Sequence, residues 1–230
     1  MNYFLDSNVI VGHIFSWDSL NATSNDFIAY KNNYFYYKNV KNEVNNVFNE
    51  KCHEYDFFLL MLCRFFDNFS DNNFVDYEKV HRYLNGINSM DKFDKEDMHY
   101  ALSVIWDRLC FDQYHDAFDV KTKFAIFQKD FQAIHIENKK KTFDFLKIVP
   151  NHTKKDKIIL DKIKQENLRS NLLHGADEEI LFDANEFCKN NPDLNLKFVS
   201  ADQDFLKAID ILMDFLCIDE SINLVEFSNN

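Results

Sequence analysis

Glycine and proline are scarce, with three and two residues in a chain of 230. The glycines, Gly12, Gly86 and Gly175, stand far apart, so no glycine-rich phosphate loop can form. Such loops need clustered glycines because backbone N–H groups must approach phosphate oxygens closely. A P-loop and a dinucleotide-binding turn are excluded. The cysteines, Cys52, Cys63, Cys110, Cys188 and Cys217, are odd in number and make no C-x-x-C pair. The histidines make no H-E-x-x-H motif. Zinc ribbons and thioredoxin-like motifs are thus missing, and free buried thiols in a reducing compartment are expected. The longest apolar run, Phe57 to Cys63, falls far short of the roughly 20 residues that span a bilayer. The first residues, Met1 to Asp6, lack a basic stretch and an apolar run, so no signal peptide is read. The expectation is a cytoplasmic chain with no membrane partner.

Carboxylates and aromatics are plentiful. The formal charge is −12, 46% of residues are hydrophobic and 25 are phenylalanine, which excludes disorder. With glycine cradles excluded, phosphate chemistry would have to run through carboxylates and bound metal.

Along the chain, Tyr3 to Leu5 reads as a strand and Val9 to Phe15 as a helix. Phe27 to Tyr30 continues a helix, and Tyr34 to Tyr37 is an aromatic strand. Val40, Val44, Val47 and Phe48 recur at helical spacing. The middle carries helical stripes such as Phe57, Leu60, Met61, Phe65, with almost no strand signal. The last third returns to alternation: helices over Ile158 to Leu173, Ala176 to Cys188 and Phe205 to Leu216, and strands over Leu196 to Ser200 and Ile222 to Phe227. Strands separated by helices imply right-handed crossovers and a mostly parallel sheet. The expected organisation is an α/β core from residues 1–50 and 151–230, with 51–150 as a helical insertion.

Four acids stand out by position. Asp6 ends the first strand, and Asp202 follows the strand Leu196 to Ser200. In open parallel sheets ligands gather outside the carboxyl ends of strands. Glu43 lies within the stripe Val40, Val44, Val47, and Asp177 heads the stripe Ile180, Leu181, Ala184, so both belong to inward faces. Each has a plain structural role open to it: Asp6 and Asp202 as helix caps, Asp177 as a first-turn carboxylate, Glu43 as a stripe-edge residue reaching water. If the strands are neighbours, the four converge. Bare carboxylates at close range raise one another's pKa, and a cation relieves the conflict. Oxygen-only ligation suits Mg²⁺ or Mn²⁺.

These residues, in this order, resemble the PIN-domain family of metal-dependent nucleases, which includes the VapC-type toxins. Phe4-Leu5-Asp6-Ser7-Asn8 looks like its first motif, Val40-Lys41-Asn42-Glu43-Val44 its second, Ala176-Asp177-Glu178-Glu179-Ile180 its third, and Val199-Ser200-Ala201-Asp202-Gln203-Asp204-Phe205 its fourth. The resemblance covers the two terminal pieces. Tyr37-Lys38-Asn39 stands where the family often has Ser or Thr, and the insertion is unusually long. It implies a PIN-like three-layer α/β/α fold and an endoribonuclease acting on single-stranded RNA. Asp6, Glu43, Asp177 and Asp202 would be the catalytic set. With Asp204 they would hold one or two Mg²⁺ or Mn²⁺ ions, and Asn8 and Ser200 would orient carboxylates or phosphate. The resemblance also admits a homodimer and an antitoxin-like protein partner.

Net negative charge is poor for attracting RNA, but charge is uneven. Between Asn138 and Arg169 ten basic residues face four acids, +6 locally against −18 elsewhere. Within it, Lys154, Lys155 and Lys157 are candidates for phosphate contacts, against the plain reading of a solvated face. Competing functions are a structure-specific DNA nuclease and a catalytically degenerate PIN scaffold used for assembly. A receiver-like domain lacks support, because Asp6 has no paired acid beside it.

Overall fold

The computed structural model describes residues 1–29, 32–70, 73–87, 95–109, 115–149, 155–174 and 176–227. Cys110, Lys154 and Gly175 lie outside these. The first part of the chain runs β1 (Asn2–Leu5), α1 (Ser7–Ile14), α2 (Asn21–Ala29), β2 (Asn33–Tyr37) and α3 (Lys38–Asp67). Next come β3 (Phe74–Val75), α4 (Tyr77–Asn85), α5 (Lys95–Arg108), β4 (His115–Asp116) and α6 (Ala117–Phe145). The last part runs β5 (Lys147–Val149), α7 (Lys157–Gln165), α8 (Leu168–Asn171), α9 (Asp177–Asn190), β6 (Leu196–Ser200), α10 (Gln203–Leu212), β7 (Glu220–Asn223) and α11 (Leu224–Phe227).

The fold is α/β. Five strands form one parallel sheet in the order β5-β2-β1-β6-β7, flanked by helices as in a three-layer α/β/α arrangement. The central strands are apolar runs, which is what burial on both faces demands. Tyr3, Phe4 and Leu5 of β1 and Leu196, Phe198 and Val199 of β6 are all buried. Phe4 and Phe198 are register partners with rings stacked 5.7 Å apart.

By internal contacts the chain forms two compact units. The first comprises Met1–Ile14, Leu20–Asn46 and Lys141–Asn230 and holds the whole parallel sheet. The second comprises Phe15–Ser19 and Val47–Lys140. The expected borders stood at 50/51 and 150/151; the observed ones fall within α3 at 46/47 and within α6 at 140/141, so that β5, paired with β2, belongs to the first unit. Within the second unit, helices surround an aromatic core. Trp17 stacks on Phe131 at 4.5 Å, and the Tyr55 hydroxyl donates to the Trp17 carbonyl at 3.1 Å. The middle is not free of strands: β3 and β4 pair antiparallel over two residues each.

Three expected elements differ. The helix over Ile158 to Leu173 breaks into α7 and α8, because Asn167 adopts φ 52°, the left-handed conformation that stops a helix. The helix over Phe205 to Leu216 ends at Leu212 and tightens into a short 3₁₀ turn. The strand over Ile222 to Phe227 begins earlier, at Glu220, and gives way to α11 at Leu224.

Candidate active site

Connectivity decides where a site can form. From β1 the chain builds outward through β2 and β5, then returns to the other side of β1 for β6 and β7. The direction of winding therefore reverses between β1 and β6. At such a switch point the crossovers part and leave a crevice outside the carboxyl ends of the two strands. β1 stops at Leu5 with Asp6 following; β6 stops at Ser200 with Asp202 two residues on.

A closed set of hydrogen bonds joins these ends. The Asp6 N–H donates to the Val199 carbonyl at 3.0 Å, continuing the ladder by one residue. The Ser200 hydroxyl donates to Asp6 Oδ2 at 2.6 Å and accepts from the Asp202 N–H at 2.9 Å. Asn8 Nδ2 donates to Asp6 Oδ2 at 2.9 Å and to Ser200 Oγ at 3.0 Å, while its Oδ1 accepts from the Ala201 N–H at 3.0 Å. The Ser7 N–H donates to Asp6 Oδ1 at 2.7 Å. Asn8 thus uses both ends of its amide to fix β1 against β6, and Ser200, fully buried, uses its hydroxyl proton on Asp6.

The cap foreseen at Asp202 exists as well. Asp202 Oδ1 accepts from the N–H groups of Asp204 and Phe205 at 2.9 and 3.1 Å, capping α10. Asp177 opens α9, where its Oδ2 accepts from the His174 N–H at 2.5 Å. A cap and a site residue are compatible, because a carboxylate has more lone pairs than a cap consumes.

Glu43 on α3 and Asp177 on α9 complete the group. Burial pushes the Asp6 carboxyl above its ordinary value, with Asp202 adding to the rise and the hydrogen bonds from Ser200, Ser7 and Asn8 opposing it. Burial also raises Glu43, with the charges of Asp6 and Asp177 adding and a hydrogen bond from Ser7 opposing. Asp177 is pushed up to about 6, first by burial, then by Asp6 and Asp202. Acids from four separate segments are therefore linked by charge: Asp202 acts on Asp6 and Asp177, Asp6 on Glu43 and Asp177, and Asp177 on Glu43.

Their chemistry fits a hard divalent cation. The donors are all oxygens, and their mutual repulsion is the strain that a cation relieves. As the side chains stand, no group of three or more His, Cys, Asp or Glu among the described residues is arranged to hold a metal ion. An Mg²⁺ ion keeps several waters and takes only one or two carboxylates directly, so a closed shell of protein ligands is not required.

Asp204, on α10, pairs its carboxylate with Lys207 at 3.0 Å on the same helix. Of the three lysine candidates, Lys154 is outside the described residues. Lys155 pairs with Glu178 at 2.9 Å, and Arg169 grips the same carboxylate through two nitrogens at 2.5 and 2.9 Å. Lys157 is exposed at the start of α7. Much of the +6 tract is thus matched by acids, including Lys162 with Glu166 at 2.7 Å.

One residue of the site, Ser7, was not foreseen, nor was a buried carboxylate on α9, Asp183. Ser7 serves Asp6 through its N–H and Glu43 through its side chain. Asp183 is 1% exposed and hydrogen-bonds Tyr37 at the end of β2, whose hydroxyl burial drives far above its ordinary pKa. The stripe test that isolates Asp177 also finds Asp183, three residues after Ile180 and four before Phe187. No protein-family model matches the chain, and no curated protein or solved structure is similar to it.

Proposed function

We propose that the protein is a metal-dependent endoribonuclease of PIN-like architecture, cutting single-stranded RNA at the four-carboxylate crevice. The observation that carries this reading is the convergence of Asp6, Glu43, Asp177 and Asp202 at the switch point, where each of Asp6, Glu43 and Asp177 is disturbed by the others' charge. A cation in the crevice would be held by these carboxylates, and when bound it supplies acidification of water and neutralisation of phosphodiester charge. Asp6 is the central ligand, because Ser200, Asn8 and the Ser7 N–H hold its two oxygens in one orientation. Asp202 offers the oxygen its cap does not use. Glu43 from α3 and Asp177 from α9 would help hold the cation and orient its water. An antitoxin-like partner and self-association belong to the same proposal and rest on the family resemblance alone; cytoplasmic residence rests on the unpaired cysteines and the lack of a signal-like first stretch.

The test is cleavage of a mixed-sequence single-stranded RNA with Mn²⁺ or Mg²⁺, with matched single-stranded DNA alongside. Wild type should cleave RNA, EDTA should stop it, and Asp6→Asn should lose at least about 10²-fold in rate. Activity surviving both EDTA and Asp6→Asn removes the carboxylate site. Preference for DNA reassigns the substrate. A second reading, a catalytically degenerate scaffold, draws on the pairing of Lys155 and Arg169 with Glu178, which leaves those cations committed to protein. It predicts no cleavage with either metal.

A further inference from the structure

Cys188 and Cys217 are 29 residues apart in sequence and adjacent in space. Cys188 is buried in the last turn of α9, and Cys217 is exposed between α10 and β7. The Cys188 thiol donates to the carbonyl oxygen of Cys217. From the same helix, the buried Asn185 accepts the Cys217 N–H on Oδ1 at 2.7 Å. Both polar groups of the residue 217 backbone are therefore pinned to α9. A sulfur touching a residue's own carbonyl oxygen lies close to that residue's Cα, and a side-chain rotation at Cys217 is then what a disulfide would need. The two sulfurs also influence each other electrostatically.

Burial raises the Cys188 thiol as well, so it is the exposed Cys217 that sets the pair apart from the other described cysteines. Cys52 and Cys63 both lie on α3, where burial pushes the Cys52 thiol up to about 11 and raises Cys63 too. Such thiols stay protonated and react poorly. Beside the pair sits Lys189, whose positive charge is within electrostatic reach of Cys217.

The geometry points to Cys188 and Cys217 as a modification site that a peroxide-class oxidant converts into an intramolecular disulfide. The exposed Cys217 reacts first. Its thiolate attacks one peroxide oxygen; the S–O bond forms, the O–O bond breaks, and the departing oxygen leaves as water after taking a proton. The product is a sulfenic acid at Cys217. The Cys188 thiol then gives up its proton and attacks that sulfur; the S–S bond forms, the S–O bond breaks, and a second water leaves. Two thiols are oxidised by two electrons, and hydrogen peroxide is reduced to two waters. The cross-link ties the last turn of α9, the helix that opens with Asp177, to the stretch leading into β7. This inference does not depend on the nuclease reading.

The test treats the whole folded chain with a small excess of hydrogen peroxide, blocks remaining thiols and maps an unreduced digest by mass spectrometry. The expected product is a single peptide pair joined through Cys188 and Cys217, with a mass loss of about 2 Da that a reductant reverses. Cys188→Ser should instead leave Cys217 as oxygen adducts that a sulfenic-acid probe captures, and Cys217→Ser should leave Cys188 reduced. Three results overturn the proposal: wild-type Cys217 accumulating oxygen without a cross-link, a cross-link to a different cysteine, or cross-linking equally fast in the urea-unfolded chain.

Discussion

Asp177 shows how a site charge acts on stability. Its folded pKa of about 6 lies above the ordinary carboxyl value of 3.8. The folded state therefore holds the proton more tightly, and the group's contribution is fully present below 3.8 and lost as pH rises through 6. In chelator-treated protein, Asp177→Asn should melt at a higher temperature than wild type at pH 7.5, with the difference closing near pH 4. A lower melting temperature at pH 7.5 would mean that the carboxylate is stabilised by something other than a cation. Asn8 acts by position. Removing its amide in Asn8→Ala takes one hydrogen bond from Asp6 Oδ2, one from Ser200 Oγ and the side-chain partner from the Ala201 N–H, and should cost cleavage roughly 10–100-fold. Rates within twofold of wild type would show that Asp6 needs no such support.

Among the elements, α1 and α2 meet at Gly12. A Cβ there would fall 2.6 Å from Ser24 Oγ and 2.9 Å from Leu20 Cβ. Gly12→Ala should therefore destabilise by about 1–3 kcal/mol in chemical denaturation, despite its better helix propensity. Full stability would mean that α2 can shift away at no cost. β1, β2 and β6 were legible in the sequence because both of their faces are buried, so apolar residues run together and end at a polar residue. β5 was not: three residues beginning with Lys147, with Ile148 exposed, carry no pattern, and only pairing with β2 makes them a strand. The long α3 hid its continuity because its stripe changes from valines to aromatics near Lys51 without any breaker residue. Asp6 and Asp202 were legible as polar residues ending apolar strands. Ser7 was not, since its tie to Glu43 depends on how α3 passes β1, which no local pattern encodes.

For the molecule as a whole, the two units should answer acid in opposite ways. In the second, His135 is 1% exposed, and its Nδ1 donates to the Phe131 carbonyl at 2.8 Å. Its Nε2 faces the rings of Phe15, Trp17 and Phe131 with no hydrogen-bond partner. Burial lowers its pKa from 6.5 to about 4. The unfolded state then binds the proton first, so this contribution is present above 6.5 and lost as pH falls toward 4, on the order of 3 kcal/mol in total. Over the same interval the acids of the first unit are relieved. Hydrogen exchange at pH 7 and 5, corrected for intrinsic rates, should show protection falling around α6 and α3 while it holds or rises in β1 and β6. His135→Phe should remove the loss; an unchanged loss would place its cause elsewhere.

The bond from Ser200 to Asp6 closes a separation of 194 residues. β1 is the central strand of the sheet, yet one of its two neighbours, β6, follows it in the chain only after β2 and β5. During synthesis β1 therefore waits with one edge open, because a contact so distant in sequence forms only after the intervening chain has been made. Until Ser200 and Asp202 leave the ribosome there is no crevice, only an isolated Asp6. A chain that cuts RNA would in this way be harmless to its own message and ribosome until β6 and the residues after it have been made.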